Sequence, residues 1–124
     1  MRIGAGIVAL FLCAVVTLAN KPTVIKDWEA IQYVGTEVEV RGRVVSVTTS
    51  PLGTAFINFG GEYPNQKFAG FIAAGSEIAT DQRLTTTQGK TISITGTIQL
   101  RDGKPEIEVV SADQIKGLDS QTER

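Results

Sequence analysis

Along residues 36–49 apolar and polar positions alternate almost without a break. Val38, Val40, Gly42, Val44 and Ser46 fall on one side; Glu37, Glu39, Arg41, Arg43, Val45 and Val47 fall on the other. A period of two marks a strand with one buried face, so this segment reads as a long strand, half buried at its start. Residues 90–101 repeat the design, with Ile92, Ile94, Gly96, Ile98 and Leu100 inward and Thr91, Ser93, Thr95, Thr97, Gln99 and Arg101 outward. Gly42, in mid-strand on the apolar side, permits the sharp coiling that lets one strand serve two sides of a small barrel. Asp102-Gly103 is a two-residue hairpin signal. Residues 104–111 then return with Ile107 and Val109 inward and Glu106 and Glu108 outward.

Between the long strands, Ser50-Pro51-Leu52-Gly53 is a turn, and residues 54–59 and 67–73 are two strands around the loop 60–66. Alternation sends Ala55, Ile57, Phe59, Phe68 and Ile72 to the core and leaves Phe56, Asn58, Lys67, Ala69 and Phe71 outside. Upstream, residues 27–34 suit a short helix, with Asp27 as its cap, Gly35 as its left-handed end, and Trp28 and Ile31 plugging one end of the core. Ile78, Ala79 and Leu84 are spaced for a second short helix, which Thr85-Thr86-Thr87 closes.

The ends change the picture of where the chain goes. Met1 and Arg2 precede an apolar run from Ile3 to Val16, and Thr17-Leu18-Ala19 offers small residues for cleavage before Asn20. The run is shorter than the roughly 18 to 20 apolar residues of a membrane span. Cys13 follows Leu12, unlike a lipid-anchor cysteine. The expected organisation is a signal peptide at 1–19, a segment with a short helix at 20–35, a barrel at 36–118 and a polar tail at 119–124. The destination is the periplasm or the cell exterior.

The whole chain carries 12 basic and 13 acidic residues, and removal of Arg2 leaves the mature chain at net −2. That balance does not suggest a polyanion partner by itself. There is no histidine, and the one cysteine leaves with the leader, which excludes disulfides, thiol chemistry, zinc sites and histidine acid/base catalysis. Asp27, Asp81, Asp102 and Asp113 are scattered, and no spacing of carboxylates makes a metal site. No phosphate loop or nucleophile motif is present. A non-enzymatic, monomeric module with no cofactor and no metal is expected.

Five strands, a glycine inside each of the two long ones, and an irregular segment between the third and fourth resemble the oligonucleotide/oligosaccharide-binding (OB) fold, an all-β five-stranded Greek-key barrel with one or two short helices. More narrowly, Gly42-Arg43-Val44, Phe56-Ile57-Asn58-Phe59-Gly60, Tyr63-Pro64-Asn65-Gln66-Lys67-Phe68, Gly89-Lys90-Thr91-Ile92 and Gly103-Lys104-Pro105-Glu106-Ile107 are similar to small secreted bacterial domains described as nucleic-acid-binding OB folds. The resemblance covers residues 36–115 and implies a ligand face on the outer surface of the second and third strands. There Phe56 and Phe71 would stack on bases while Asn58 and Lys67 fix a base edge and a phosphate. Tyr63 and Gln66 form the edge of that site, and Lys90, Arg101 and Lys104 are candidate phosphate contacts. Single-stranded DNA or RNA is the partner this implies. An exported protein-interaction or envelope-associated module, which docks a partner chain on the same aromatic face and binds no nucleic acid, is the alternative, favoured by the acidic balance.

Overall fold

The computed structural model describes residues 21–118. The expected signal segment and the tail from 119 lie outside the described residues. Strands β1 (Thr23–Lys26), β2 (Glu37–Thr49), β3 (Ala55–Phe59), β4 (Phe68–Ile72), β5 (Thr91–Thr97), β6 (Gln99–Arg101), β7 (Lys104–Glu108) and β8 (Ile115–Lys116) are joined by loops and 3-10 helices. The sheet order is β6-β7-β4-β3-β2-β5-β8, with β1 added parallel to β2. β2 uses its first half to pair with β5 and its second half to pair with β3. β6 begins the order and β5 stands next to its other end, yet the two are separated in sequence only by Ile98, so the sheet curls back on itself.

All five expected strands are present, with three additions that alternation did not reveal. The strand expected over 90–101 is interrupted at Ile98, whose N–H donates to Thr36 O and whose carbonyl accepts from Gly35 N–H, at 3.1 and 2.8 Å. β6 therefore leaves β2 and pairs with β7. Leu100, expected inward, is exposed there. The Asp102-Gly103 turn is as expected, with φ of 52° and 78° at its two residues. β1 and β8 are short edges too small to stand out by periodicity.

The core is filled by Val38, Val40, Val44, Ile57, Phe59, Phe68, Ile72, Ile92, Ile94, Ile98, Ile107 and Val109, all fully buried. Full burial contributes about 1.5–3 kcal/mol for each such side chain. Surface ion pairs contribute about 0–1 kcal/mol, so this cluster rather than the charged exterior holds the fold. Every residue of the core cluster lies between Ile25 and Leu118. Residues 20–124 therefore contain every residue of that cluster.

Gly42 is required for more than coiling. A Cβ there would stand 3.0 Å from Asp27 Cγ and 3.1 Å from Phe59 Cδ2, so the glycine admits the N-terminal helix. That helix, Asp27–Tyr33, is 3-10, and Lys26 rather than Asp27 is its cap. Lys26 N–H donates to Glu29 Oε1 at 2.8 Å. In a 3-10 helix residues three apart eclipse one another. Asp27, Ala30 and Tyr33 consequently form the inner edge, while Trp28 and Ile31 are 61% and 50% exposed. The expected core plug is thus the opposite edge of the helix. The second expected helix is two 3-10 helices, Glu77–Thr80 and Gln82–Thr87, burying Ile78 and Leu84. As expected, Thr85, Thr86 and Thr87 close the second of these helices, and each donates its hydroxyl to the carbonyl three residues back.

Candidate functional site

The outer face of β3 and β4 is built by register. Ala55, Ile57 and Phe59 point to the core, which turns Phe56 outward opposite Phe71 of β4. The two half-buried rings lie 5.7 Å apart at a tilt of 48°, within the range of favourable aromatic pairs. The expected phase of these strands therefore holds for both rings.

A bulge changes what stands beside them. The register of β2 against β3 slips between Val44 and Ser46. One extra residue reverses the alternation, so Ser46, expected on the core side with Val44, moves to the outer face with Thr48, and Val47 turns toward the core. Asn58 Nδ2 donates to Ser46 Oγ at 3.2 Å and to Thr48 Oγ1 at 3.3 Å. Asn58 is on the expected face but only 1% exposed. Its amide is consumed in bracing the sheet and is not open to a ligand.

β7 pairs parallel with β4, bringing Glu106 opposite Ala69 and Glu108 opposite Phe71. Ala69 is small, and Arg101 of β6 lies on the far side. Glu106, expected outward, is 3% exposed. Burial pushes its carboxyl above the ordinary glutamate range, and the hydrogen bond and charge of Arg101 pull it back only in part. Arg101 donates from Nε to Glu106 Oε1 at 2.8 Å, and its guanidinium carbon stands 4.1 Å from the centre of the Phe71 ring. One planar cation thus both pairs with a buried carboxylate and caps an aromatic ring, a geometry a lysine would not reproduce. Phe71 is therefore covered by Arg101 rather than open as a stacking platform.

Between the loop 60–67 and the β6–β7 hairpin lies a cleft of about 510 Å³. Thr48, Phe56, Tyr63, Gln66, Arg101, Lys104 and Glu106 are among the residues that line it. Its size falls in the range of about 300–1,000 Å³ typical of ligand sites. Tyr63 is exposed at the rim and is joined to Pro64 by a cis peptide bond. Gln66 is 5% exposed, and its Oε1 has no hydrogen-bond partner.

Of the nine residues singled out from the sequence, the structure gathers Phe56, Tyr63, Gln66, Arg101 and Lys104 on the cleft, with Phe71 behind Arg101 and Asn58 beneath. Lys67 and Lys90 are elsewhere. Lys67 ends the loop packed against Gly60, and Lys90 precedes β5 on the opposite side, its carbonyl bonded to Val44 N–H. Glu106, Ser46 and Thr48 were missed. Their places depend on one parallel pairing and one bulge, neither of which leaves a local signal. Among the described residues no cluster of three or more potential metal ligands occurs.

Comparison with known proteins bears on the fold. An aspartyl-tRNA synthetase assigned in Leishmania major Friedlin superposes with a TM-score of 0.52 at 14% identity, over 82% of this chain and 22% of that one. The OBody AM1L10, solved bound to hen egg-white lysozyme, superposes with a TM-score of 0.53 at 17% identity, over 77% of this chain and 94% of that one. The fold is OB-like. No family model and no curated protein matches the chain. This chain spans about a fifth of the synthetase's length, so the likeness concerns architecture alone.

Proposed function

We propose that this chain is an exported, non-catalytic, monomeric binding module that holds a short stretch of single-stranded nucleic acid in the Phe56 cleft. In this reading residues 1–19 are a cleaved signal peptide and residues 36–118 an OB barrel of five principal strands. The observation that carries it is the half-buried Phe56 ring, backed by Phe71, on the wall of a 510 Å³ cleft on the outer face of an OB-like sheet. Phe56 and Tyr63 offer ring surface for bases, while Lys104 and Arg101 offer charge for one or two phosphates. Glu106 already engages Arg101, so stacking supplies most of the affinity and phosphate contacts little. The likeness to part of a tRNA synthetase chain is consistent with a nucleic-acid ligand.

A protein ligand in the same cleft is the second reading, and one observation favours it. Glu62, Asp102 and Glu106 outnumber Arg101 and Lys104 along the lining. The OBody neighbour is itself solved in complex with a protein.

Titration of residues 20–124 into labelled single-stranded DNA and RNA, followed by fluorescence anisotropy at two salt concentrations, separates the two. Saturable binding that weakens on Phe56→Ala supports the nucleic-acid reading. No binding at low salt rejects it and directs attention to protein partners.

A further inference from the structure

The cleft beside Phe56 offers acceptors to whatever enters it. Gln66 lines it, is 5% exposed, and keeps its Oε1 sheltered from water with no hydrogen-bond partner. Among the described residues one other buried side-chain polar atom, Ser93 Oγ, is left in that condition, and Ser93 is not part of the cleft. A buried acceptor without a partner is costly, and this one stands where a ligand can complete it. The terminal torsion of a glutamine is broad, so a partial turn of the amide brings its oxygen to face a donor in the cleft. Glu106 is the second acceptor. It also lines the cleft, and Arg101 Nε donates to its Oε1 at 2.8 Å. An ionised carboxylate has room for about four donors, so capacity remains after Arg101 is counted. The cationic donors of the lining are directed elsewhere. Arg101 engages Glu106 and holds its guanidinium carbon 4.1 Å from the centre of the Phe71 ring, while Lys104 sits at the hairpin, on the first residue of β7.

We infer that the cleft selects a base carrying an exocyclic amino group, so that cytosine, adenine or guanine is held and uracil or thymine is refused. The inference rests on the nucleic-acid reading above and specifies its ligand. With the ring of the base against Phe56, its pairing edge turns toward Gln66 and Glu106. The amino group then donates to Gln66 Oε1 and to the lone pairs of Glu106 that Arg101 leaves open, the kind of pairing that amides and carboxylates make with such amino groups. Uracil and thymine turn two carbonyl oxygens to that edge. Oxygen against oxygen leaves acceptors unpaired on both sides and Gln66 still without a donor. A site built to hydrogen-bond a group rejects the analogue that lacks it more strongly than an apolar pocket rejects a change of size. Glu62 and Asp102, both exposed residues of the lining, add to the acceptor character. The same acceptors keep phosphates at the mouth of the cleft, with Lys104.

The test compares single-stranded oligo(dC) with oligo(dU) of equal length, since the two bases share ring size and differ only at the pairing edge. Anisotropy titrations of residues 20–124 at neutral pH are expected to give oligo(dC) a Kd about tenfold or more below that of oligo(dU), which corresponds to about 1.4 kcal/mol or more. Gln66→Met keeps the length of the side chain and removes the oxygen. It should weaken oligo(dC) binding several-fold, leave oligo(dU) binding unchanged, and raise the denaturant midpoint because the unpaired acceptor is gone. Glu106→Gln supplies an amide that donates as well as accepts, and it should narrow the preference by improving oligo(dU) binding. An unchanged circular dichroism spectrum confirms that the variants fold. Equal affinity for the two oligonucleotides overturns the inference while leaving the Phe56 cleft as a base-stacking site. So does tighter binding of oligo(dU), or a preference for oligo(dC) that both substitutions leave intact. Binding of neither oligonucleotide at low salt overturns the cleft reading itself, and this inference with it.

Discussion

Glu106 most limits what the cleft can hold. An ionised carboxylate beneath the surface repels phosphate and accepts hydrogen bonds, so the floor of the cleft suits a neutral donor better than a backbone phosphate. Its pH behaviour is a direct test of its burial. A carboxyl held above its ordinary range binds a proton more readily in the folded than in the unfolded chain, so the fold loses stability as pH rises from the unfolded value, 4.5, through the raised folded value. Glu106→Gln lacks this titration. Denaturant unfolding across that interval should show the variant gaining on the wild type as pH rises, and parallel pH profiles would contradict the placement. Phe56 carries a second expectation. Phe56→Ala should weaken oligonucleotide binding by about 1–3 kcal/mol, the usual worth of a stacked base, with the fold retained because the ring is only half buried. At this scale the sequence shows the outward phase of Phe56 and Phe71 from the apolar run Ala55, Ile57, Phe59. It does not show that Asn58 and Glu106 are buried on the outer face, since their cover comes from Ser46, Thr48 and Arg101 on other strands.

Among the elements, β2 and the β5–β6 strand decide the shape. Each changes partner along its length, β2 through the slip between Val44 and Ser46 and β5–β6 through the break at Ile98. Alternation reports which residues share a face only while one register persists, so it reads Val38 to Val44 and Ile92 to Ile98 correctly and fails at Ser46 and Leu100. The glycines at these elements have specific neighbours. A Cβ on Gly96 would collide with Ile107 Cγ2, a methyl group fixed within the core. Gly96→Ala is therefore expected to destabilise by about 1–3 kcal/mol, the usual cost of overfilling a packed site, measurable as a lower denaturant midpoint. Wild-type stability would mean that Ile107 has room to move. The N-terminal helix shows the same limit of sequence reasoning in another form. Residues 27–34 signal a helix, but a spacing of 3.0 rather than 3.6 residues per turn determines which edge is buried, and it exchanges Ala30 for Trp28 and Ile31.

For the molecule as a whole, net charge says little about the cleft. The chain is close to neutral, yet the cleft between the loop 60–67 and the β6–β7 hairpin carries more acids than bases. Binding of single-stranded nucleic acid in that cleft should thus depend weakly on salt. With one or two phosphates met by Lys104 and Arg101, the logarithmic slope should be about −0.7 to −1.4, at about −0.7 per contact for single strands. A much steeper slope would place the ligand outside the cleft. The overall β architecture was legible in the alternation and turn signals, because five strands suffice to suggest it. The lining of the cleft was not, because Gln66 and Glu106 are brought to it only by the parallel pairing of β4 with β7.

The most direct measurement is backbone amide chemical-shift mapping of residues 20–124 titrated with a short single-stranded oligonucleotide. Perturbations confined to Phe56, Tyr63, Gln66, Phe71, Arg101 and Lys104 and their neighbours are the expected result. Perturbations clustered at Arg41, Arg43 and Lys116, or none at saturating oligonucleotide, would contradict the cleft as the binding site.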